Sequence, residues 1–97
     1  MFFVLLTYRV PLDRIDALLS AHYAHVDPYF EAGVFVLAAR RLPRTGGAFL
    51  ARGVDRARLE AILAEDPFVS TGAATYELFE LAPTRSALAE IPAGRVG

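Results

Sequence analysis

Phe2-Phe3-Val4-Leu5-Leu6-Thr7-Tyr8-Arg9 is an almost unbroken apolar run of aromatic, aliphatic and β-branched residues, closed by Val10-Pro11. Such a run reads as a strand buried on both faces. After Pro11 the period changes. Ile15, Leu18, Leu19, His22, Val26 and Phe30 recur at helical steps, with Asp13, Asp16, Ser20, Asp27 and Glu31 opposite them. Pro28 removes one hydrogen bond late in this helix, so a kink or a restart capped by Asp27 is expected, and Gly33 ends it. Val34 to Ala39 forms a second all-apolar strand. Arg40 to Gly47 is a turn region, in which Gly46-Gly47 supplies positive φ, and Ala48 to Arg52 is a third strand.

Asp55 can cap a second helix that buries Leu59, Ile62 and Leu63 and stops before Pro67. Ala74 to Leu81 is the fourth strand, and residues 85–97 read as a loose tail with a helical turn around Ser86 to Glu90. The order β-α-β-β-α-β predicts an α+β, ferredoxin-like unit over residues 1–84, with a four-stranded antiparallel sheet and both helices on one face. The first two strands are apolar on both sides, yet the helices cover only one. A second copy packed sheet against sheet covers the other, so a homodimer is expected.

The 97 residues make one domain, and a chain this short buries only about two-thirds of its unfolded surface. Hydrophobic residues make up 55% of it, which excludes disorder. Without cysteine there is no disulfide, thiol nucleophile or Cys-ligated metal, and no His-rich metal centre is expected from two histidines. No metal or organic cofactor is expected. Ten arginines against eleven acids give a net charge of −1, which provides no footprint for nucleic acid or an anionic membrane. The opening apolar run is too short for a signal segment or a membrane span, so a cytoplasmic protein is expected.

Two motifs are decoys. Leu42-Pro43-Arg44-Thr45-Gly46 matches a sortase sorting signal, but it lies mid-chain with no hydrophobic span or basic tail behind it; it reads as a turn. The element order is also that of the RNA-recognition fold, whose third strand displays two stacking aromatics. Here Phe49 supplies one, and Gly47 stands where the other belongs.

His22 is the residue to explain, because it falls near the middle of the apolar stripe. It is either a core imidazole satisfied by a backbone or hydroxyl partner, or a general acid or base in a pocket between helix and sheet. His25, one turn on, lies at the flank of the stripe as a rim or solvated residue. Asp66 reads as an N-cap with Pro67 opening a helical turn; its functional reading sets the carboxylate against His22 as a dyad. Arg44 and Tyr8 are candidates to bind a substrate carboxylate or phenolate, against the plainer readings of a solvated arginine and a core tyrosine.

His22 followed by Gly33, then Pro43-Arg44-Thr45-Gly46-Gly47, then Asp66-Pro67-Phe68, resembles the YCII-related (YciI-like) family. Leu6-Thr7-Tyr8 and Tyr76-Glu77-Leu78-Phe79 sit where that family's first and last strands sit, so the resemblance spans Phe2 to about Thr84. It implies a ferredoxin-like monomer pairing into a dimeric α+β barrel. It also implies a catalytic role for His22 and Asp66; Tyr8, His25, Arg44 and Phe68 are the residues expected on the substrate side. One branch of the family is associated with dehydrochlorination of chlorinated hydroxyquinols, an elimination suited to a histidine base. The activity implied is acid–base chemistry, elimination or isomerisation, on a small cyclic or aromatic molecule. The alternative is a non-catalytic homodimeric module that binds a small ligand or another protein. The chain departs from the family at Ala38-Ala39-Arg40, where relatives often carry Ser-Gly-Pro. If that tripeptide shapes the pocket, the pocket here is altered.

Overall fold

The computed structural model describes residues 1–94. Strand β1 (Phe2–Tyr8) lies inside the sheet, between β3 (Gly46–Ala51) and β4 (Ala74–Glu80), and β2 (Phe35–Arg40) forms the far edge beyond β3. Every pairing is antiparallel, and the order β2-β3-β1-β4 is that of the ferredoxin-like unit. Helix α1 (Leu12–Glu31) follows β1, α2 (Arg56–Ala64) follows β3, and a one-turn helix α3 (Pro67–Ser70) leads into β4.

Side chains alternate along β1, and this sets the core. Phe2, Val4 and Leu6 are buried beneath the helices, whereas Phe3, Leu5 and Thr7 point to the other face and are only half-buried. On the helical side Ile15, Leu59, Ile62 and Leu63 close over them, each essentially inaccessible to water. A fully buried side chain of this size stabilises the fold by about 1.5–3 kcal/mol. The expectation that β1 and β2 are buried on both faces is corrected for the single chain. Beyond Phe35, β2 is an edge strand, with Leu37 52% exposed.

Helix α1 does not restart at Asp27. It runs through Pro28 to Glu31, because losing one donor leaves the bonds on either side intact. It ends in a Schellman arrangement: Gly33 N–H reaches Phe30 O at 3.0 Å, Val34 N–H reaches Tyr29 O at 2.9 Å, and Gly33 takes φ +77°. Asp55 caps α2 as expected, accepting from Arg58 N–H at 2.8 Å.

Gly46 and Gly47 require a second correction. Neither has positive φ; both belong to β3, where they pair with Thr7 and Leu6 of β1, and the hairpin turn lies before them. Glycine is needed at Gly46 for close approach, since a Cβ there would sit 1.9 Å from the carbonyl oxygen of Leu6. Residues 81–94 make no regular helix, and the last three residues of the expected tail, 95–97, lie outside the described residues. Ile91 N–H bonds Leu88 O at 3.1 Å in a turn, Ser86 Oγ lies 3.1 Å from Leu88 N, and Ile91 is buried. No helix among the described residues is long and apolar enough to cross a membrane.

Candidate active site

His22 comes from the buried stripe of α1, with Ile15 and Val26 one or two turns away on the same side. Asp66 comes from the junction between α2 and α3. Because Pro67 follows it, Asp66 is held extended at φ −62°, ψ 128°, and its side chain folds back over the start of α3. One carboxylate oxygen, Oδ1, accepts from Phe68 N–H at 2.9 Å. Both oxygens lie 2.9 Å from His22 Nδ1. The cap and the dyad are therefore one arrangement, since a carboxylate has lone pairs for both.

A carboxylate accepts only, so Nδ1 carries the hydrogen and donates it. That leaves Nε2, which has no hydrogen-bond partner among the described residues, as the free nitrogen of a ring that lines the adjoining pocket. Asp66 is 1% exposed and His22 8% exposed, so the pair is shielded from bulk water. Phe68 stacks on the imidazole at 4.1 Å between centroids and 14° between planes, and Tyr8 meets Phe68 edge-on at 5.9 Å.

The pocket in front of the ring has a volume of about 170 Å³. A dry cavity of about 150 Å³ holds a benzene molecule, so the space suits one substituted ring. Leu6, Leu19, Tyr23 and Phe49 give it apolar walls, and the small residues Ala38, Ala39, Gly47 and Ala48 leave room along β2 and β3. Arg40 stands at its rim. Among the described residues, no cluster of three or more His, Cys, Asp or Glu could hold a metal ion.

Four of the six expected site residues gather here: His22, Asp66, Phe68 and Tyr8. His25 does not. It lies a turn away and about 60° round the helix, where Nε2 donates to Ile62 O at 2.8 Å and the ring meets Tyr29 edge-on. It ties α1 to α2. Arg44 is outside the pocket wall as well, committed to Asp16 of α1 by a short ion pair. The hydrogen bond from Arg44, with the fields of Arg44 and Arg40, holds the Asp16 carboxyl below its ordinary range; the same bond raises Arg44. The sequence reading missed Leu19 and Tyr23 as pocket walls. Leu19 carried only the signal of a core residue, and Tyr23, beside His22 in sequence, lay off the apolar stripe.

Known proteins agree with this architecture. A search of curated proteins finds no match. Among solved structures, the chain is similar to 5-chloro-2-hydroxyhydroquinone dehydrochlorinase (TftG) from Burkholderia phenoliruptrix AC1100, in complex with 2,5-dihydroxybenzoquinone. The two share 17% identity and a TM-score of 0.67, over 86% of this chain and 95% of that one. At that identity the likeness establishes a common fold. The sequence profile of the YCII-related domain matches residues 1–82, nearly the whole folded unit and both members of the His22–Asp66 pair, and the chain belongs to the YCII-related family.

Proposed function

We propose that the chain is a small, cofactor-independent enzyme that moves a proton on a small cyclic or aromatic molecule, in an elimination or an isomerisation. The observation that carries this reading is the pairing of His22 Nδ1 with both oxygens of Asp66 at 2.9 Å, in a residue that lines the pocket and keeps Nε2 unpartnered among the described residues. Nε2 accepts a proton from a substrate carbon or hydroxyl, and the electron pair left behind shifts into the ring system. In an elimination that shift expels a leaving anion. In an isomerisation the imidazolium returns its proton to another atom. Asp66 orients the ring and stabilises its cationic form, as a buried carboxylate does for a catalytic histidine. General base catalysis of this kind contributes about 10²–10⁴-fold. The structural neighbour TftG, a dehydrochlorinase that binds 2,5-dihydroxybenzoquinone, supports a one-ring substrate for this pocket.

The working unit is a cytoplasmic homodimer, paired through the sheet face that the helices leave open. A non-catalytic binding module would call for a filled cleft and a histidine bonded only to backbone; the open pocket and carboxylate partner favour the enzyme. The test is solvent deuterium exchange. Cyclic ketones and hydroquinones incubated with the protein in D₂O are followed by NMR for loss of carbon-bound protons. The wild type accelerates exchange in at least one of them, and His22→Gln abolishes it while the melting temperature changes little. Exchange that persists in the variant, or none in the wild type across the panel, would sink the enzyme reading.

A further inference from the structure

We infer that Arg40 is the residue by which this pocket selects a substrate bearing an anionic oxygen, a carboxylate or a phenolate. The register sets the geometry. Arg40 of β2 pairs with Gly47 of β3, and Gly47 pairs with Leu6 of β1, so the three form one cross-strand row on the face that the helices cover. Leu6 and Arg40 both line the pocket, and Gly47 between them contributes no side chain. The row therefore has an apolar end, an empty middle and a cationic end, and His22 of α1 lines the same pocket.

Arg40 is free to do this where Arg44 is not. Among the described residues the Arg40 guanidinium has no hydrogen-bond or ion-pair partner, whereas Arg44 gives its Nη2 to Asp16 and lies outside the pocket lining. Asp16 is near enough to feel the field of Arg40, but its Oδ1 is occupied by Arg44. The other carboxylate of the site, Asp66, is buried behind His22, with both oxygens engaged by its Nδ1. The rim thus keeps an uncommitted positive charge. A guanidinium fits carboxylate and phenolate oxygens with paired N–H donors, and it holds a planar ring against the small residues of β2 and β3. The assignment rests on the pocket of the proposed function for its chemistry, but its test reads binding alone.

The probes are benzoate, its neutral isostere benzamide, and 4-nitrophenolate, titrated into the full chain at constant salt and followed by protein NMR. Benzoate or 4-nitrophenolate binds the wild type about tenfold more tightly than benzamide, the size of one charge-assisted contact. Which of the two anions binds more tightly identifies the group Arg40 takes. Arg40→Gln removes that preference and leaves benzamide affinity unchanged; Arg40→Lys restores part of it. Equal binding of anion and isostere by the wild type, no binding of any probe, or a preference lost in Arg44→Gln but kept in Arg40→Gln would each overturn the assignment. His22→Gln retains the preference, so an inactive enzyme and a wrong anion site give different results.

Discussion

The ring of Phe68 lies almost parallel to the imidazole of His22, 4.1 Å away, while the Phe68 N–H bonds the same Asp66 oxygen that meets His22 Nδ1. One residue therefore holds the dyad twice, by its backbone and by its side chain. Phe68 is buried to 3% exposure, so Phe68→Ala loses the transfer energy of a large aromatic and leaves a cavity beside the ring. The expected cost is about 3–5 kcal/mol, and Phe68→Leu, which keeps most of the volume, costs less than half as much. Urea unfolding measures both. Phe68→Leu also separates stability from positioning, because its backbone bond to Asp66 survives while the flat support of the imidazole is lost.

Asp66 accepts the Nδ1 hydrogen and so sets the tautomer of His22, which is visible without a substrate. In the wild type, ¹⁵N NMR of the neutral imidazole shows the hydrogen on Nδ1. In Asp66→Ala the anchor is gone, and the population moves toward the Nε2–H form that dominates free histidine in water. The same variant loses a helix cap worth about 0.5–2 kcal/mol. Asp66→Asn keeps an acceptor for Phe68 N–H and so costs less stability, yet it cannot balance the imidazolium. On the proposed chemistry, deuterium exchange falls about 10⁴-fold in Asp66→Asn, as the rate does when a triad carboxylate is neutralised. An unchanged tautomer in Asp66→Ala would refute the positioning role.

Much of this site was legible before the structure. The eight-residue apolar opening, the helical stripe from Ile15 to Phe30, Pro11 before α1 and Pro67 between α2 and α3 determine the element order, because strand and helix periods differ and proline sets boundaries. His22 was conspicuous as a polar residue on an apolar stripe. What stayed hidden depended on register. Arg40 and Arg44 are both loop-adjacent arginines in sequence, and only the pairing of Arg40 with Gly47 sends one to the pocket while Asp16 claims the other. Gly46-Gly47 was misread for a related reason: a glycine pair signals a turn as readily as a close approach, and the approaching Leu6 carbonyl lies 40 residues away.

Gly46 and Gly47 accordingly separate on substitution. A methyl at Gly46 would stand 1.9 Å from Leu6 O and 2.8 Å from its carbonyl carbon, and backbone in the middle of a sheet cannot retreat. Gly46→Ala is expected to exceed the roughly 1–3 kcal/mol usual for overpacking and to leave little folded protein. At Gly47 the nearest atom is Ala39 O at 3.1 Å, so a shift of a few tenths of an ångström relieves the contact. Gly47→Ala folds with a small loss of stability, and its methyl occupies pocket space, weakening benzoate binding. Circular dichroism for the first and titration for the second decide the matter.

The Asp16–Arg44 pair carries a pH dependence of known sign. Asp16 is held below its ordinary value of 3.8, chiefly by the hydrogen bond from Arg44. A carboxyl depressed in the folded state contributes stability that is complete above the unfolded value and lost as pH falls through the folded one. Acid unfolding below about pH 4 should therefore be partly traceable to this pair. Asp16→Asn flattens that limb of the stability profile, with little effect near neutrality beyond a small, salt-sensitive loss, as expected of an exposed pair. Identical acid limbs in the wild type and variant, measured by urea unfolding at a series of pH values, would rule the contribution out.

The open face of the sheet leads to the last prediction. Phe3, Leu5, Leu37, Leu50 and Phe79 share the side away from the helices, by direct pairing of Phe3 with Leu50 and Phe79 and of Leu37 with Leu50. Leu37 is 52% and Phe79 44% exposed in the single chain. An apolar sheet face of this kind on so small a domain is costly to leave in water, and stacked sheets bury it at a spacing of about 10 Å. Sedimentation velocity at micromolar concentration should give twice the chain mass for the wild type. Leu37→Glu and Phe79→Glu place a carboxylate that a lone chain leaves in water but a paired sheet must desolvate, so both should sediment at the mass of one chain and melt at lower temperature. The His22–Asp66 pair lies on the opposite side of the sheet, and these variants should keep the wild-type ¹⁵N signature of His22 below their melting point. A wild type that sediments as a single chain at these concentrations would remove the homodimer, while the pocket, on the opposite side of the sheet, would stand.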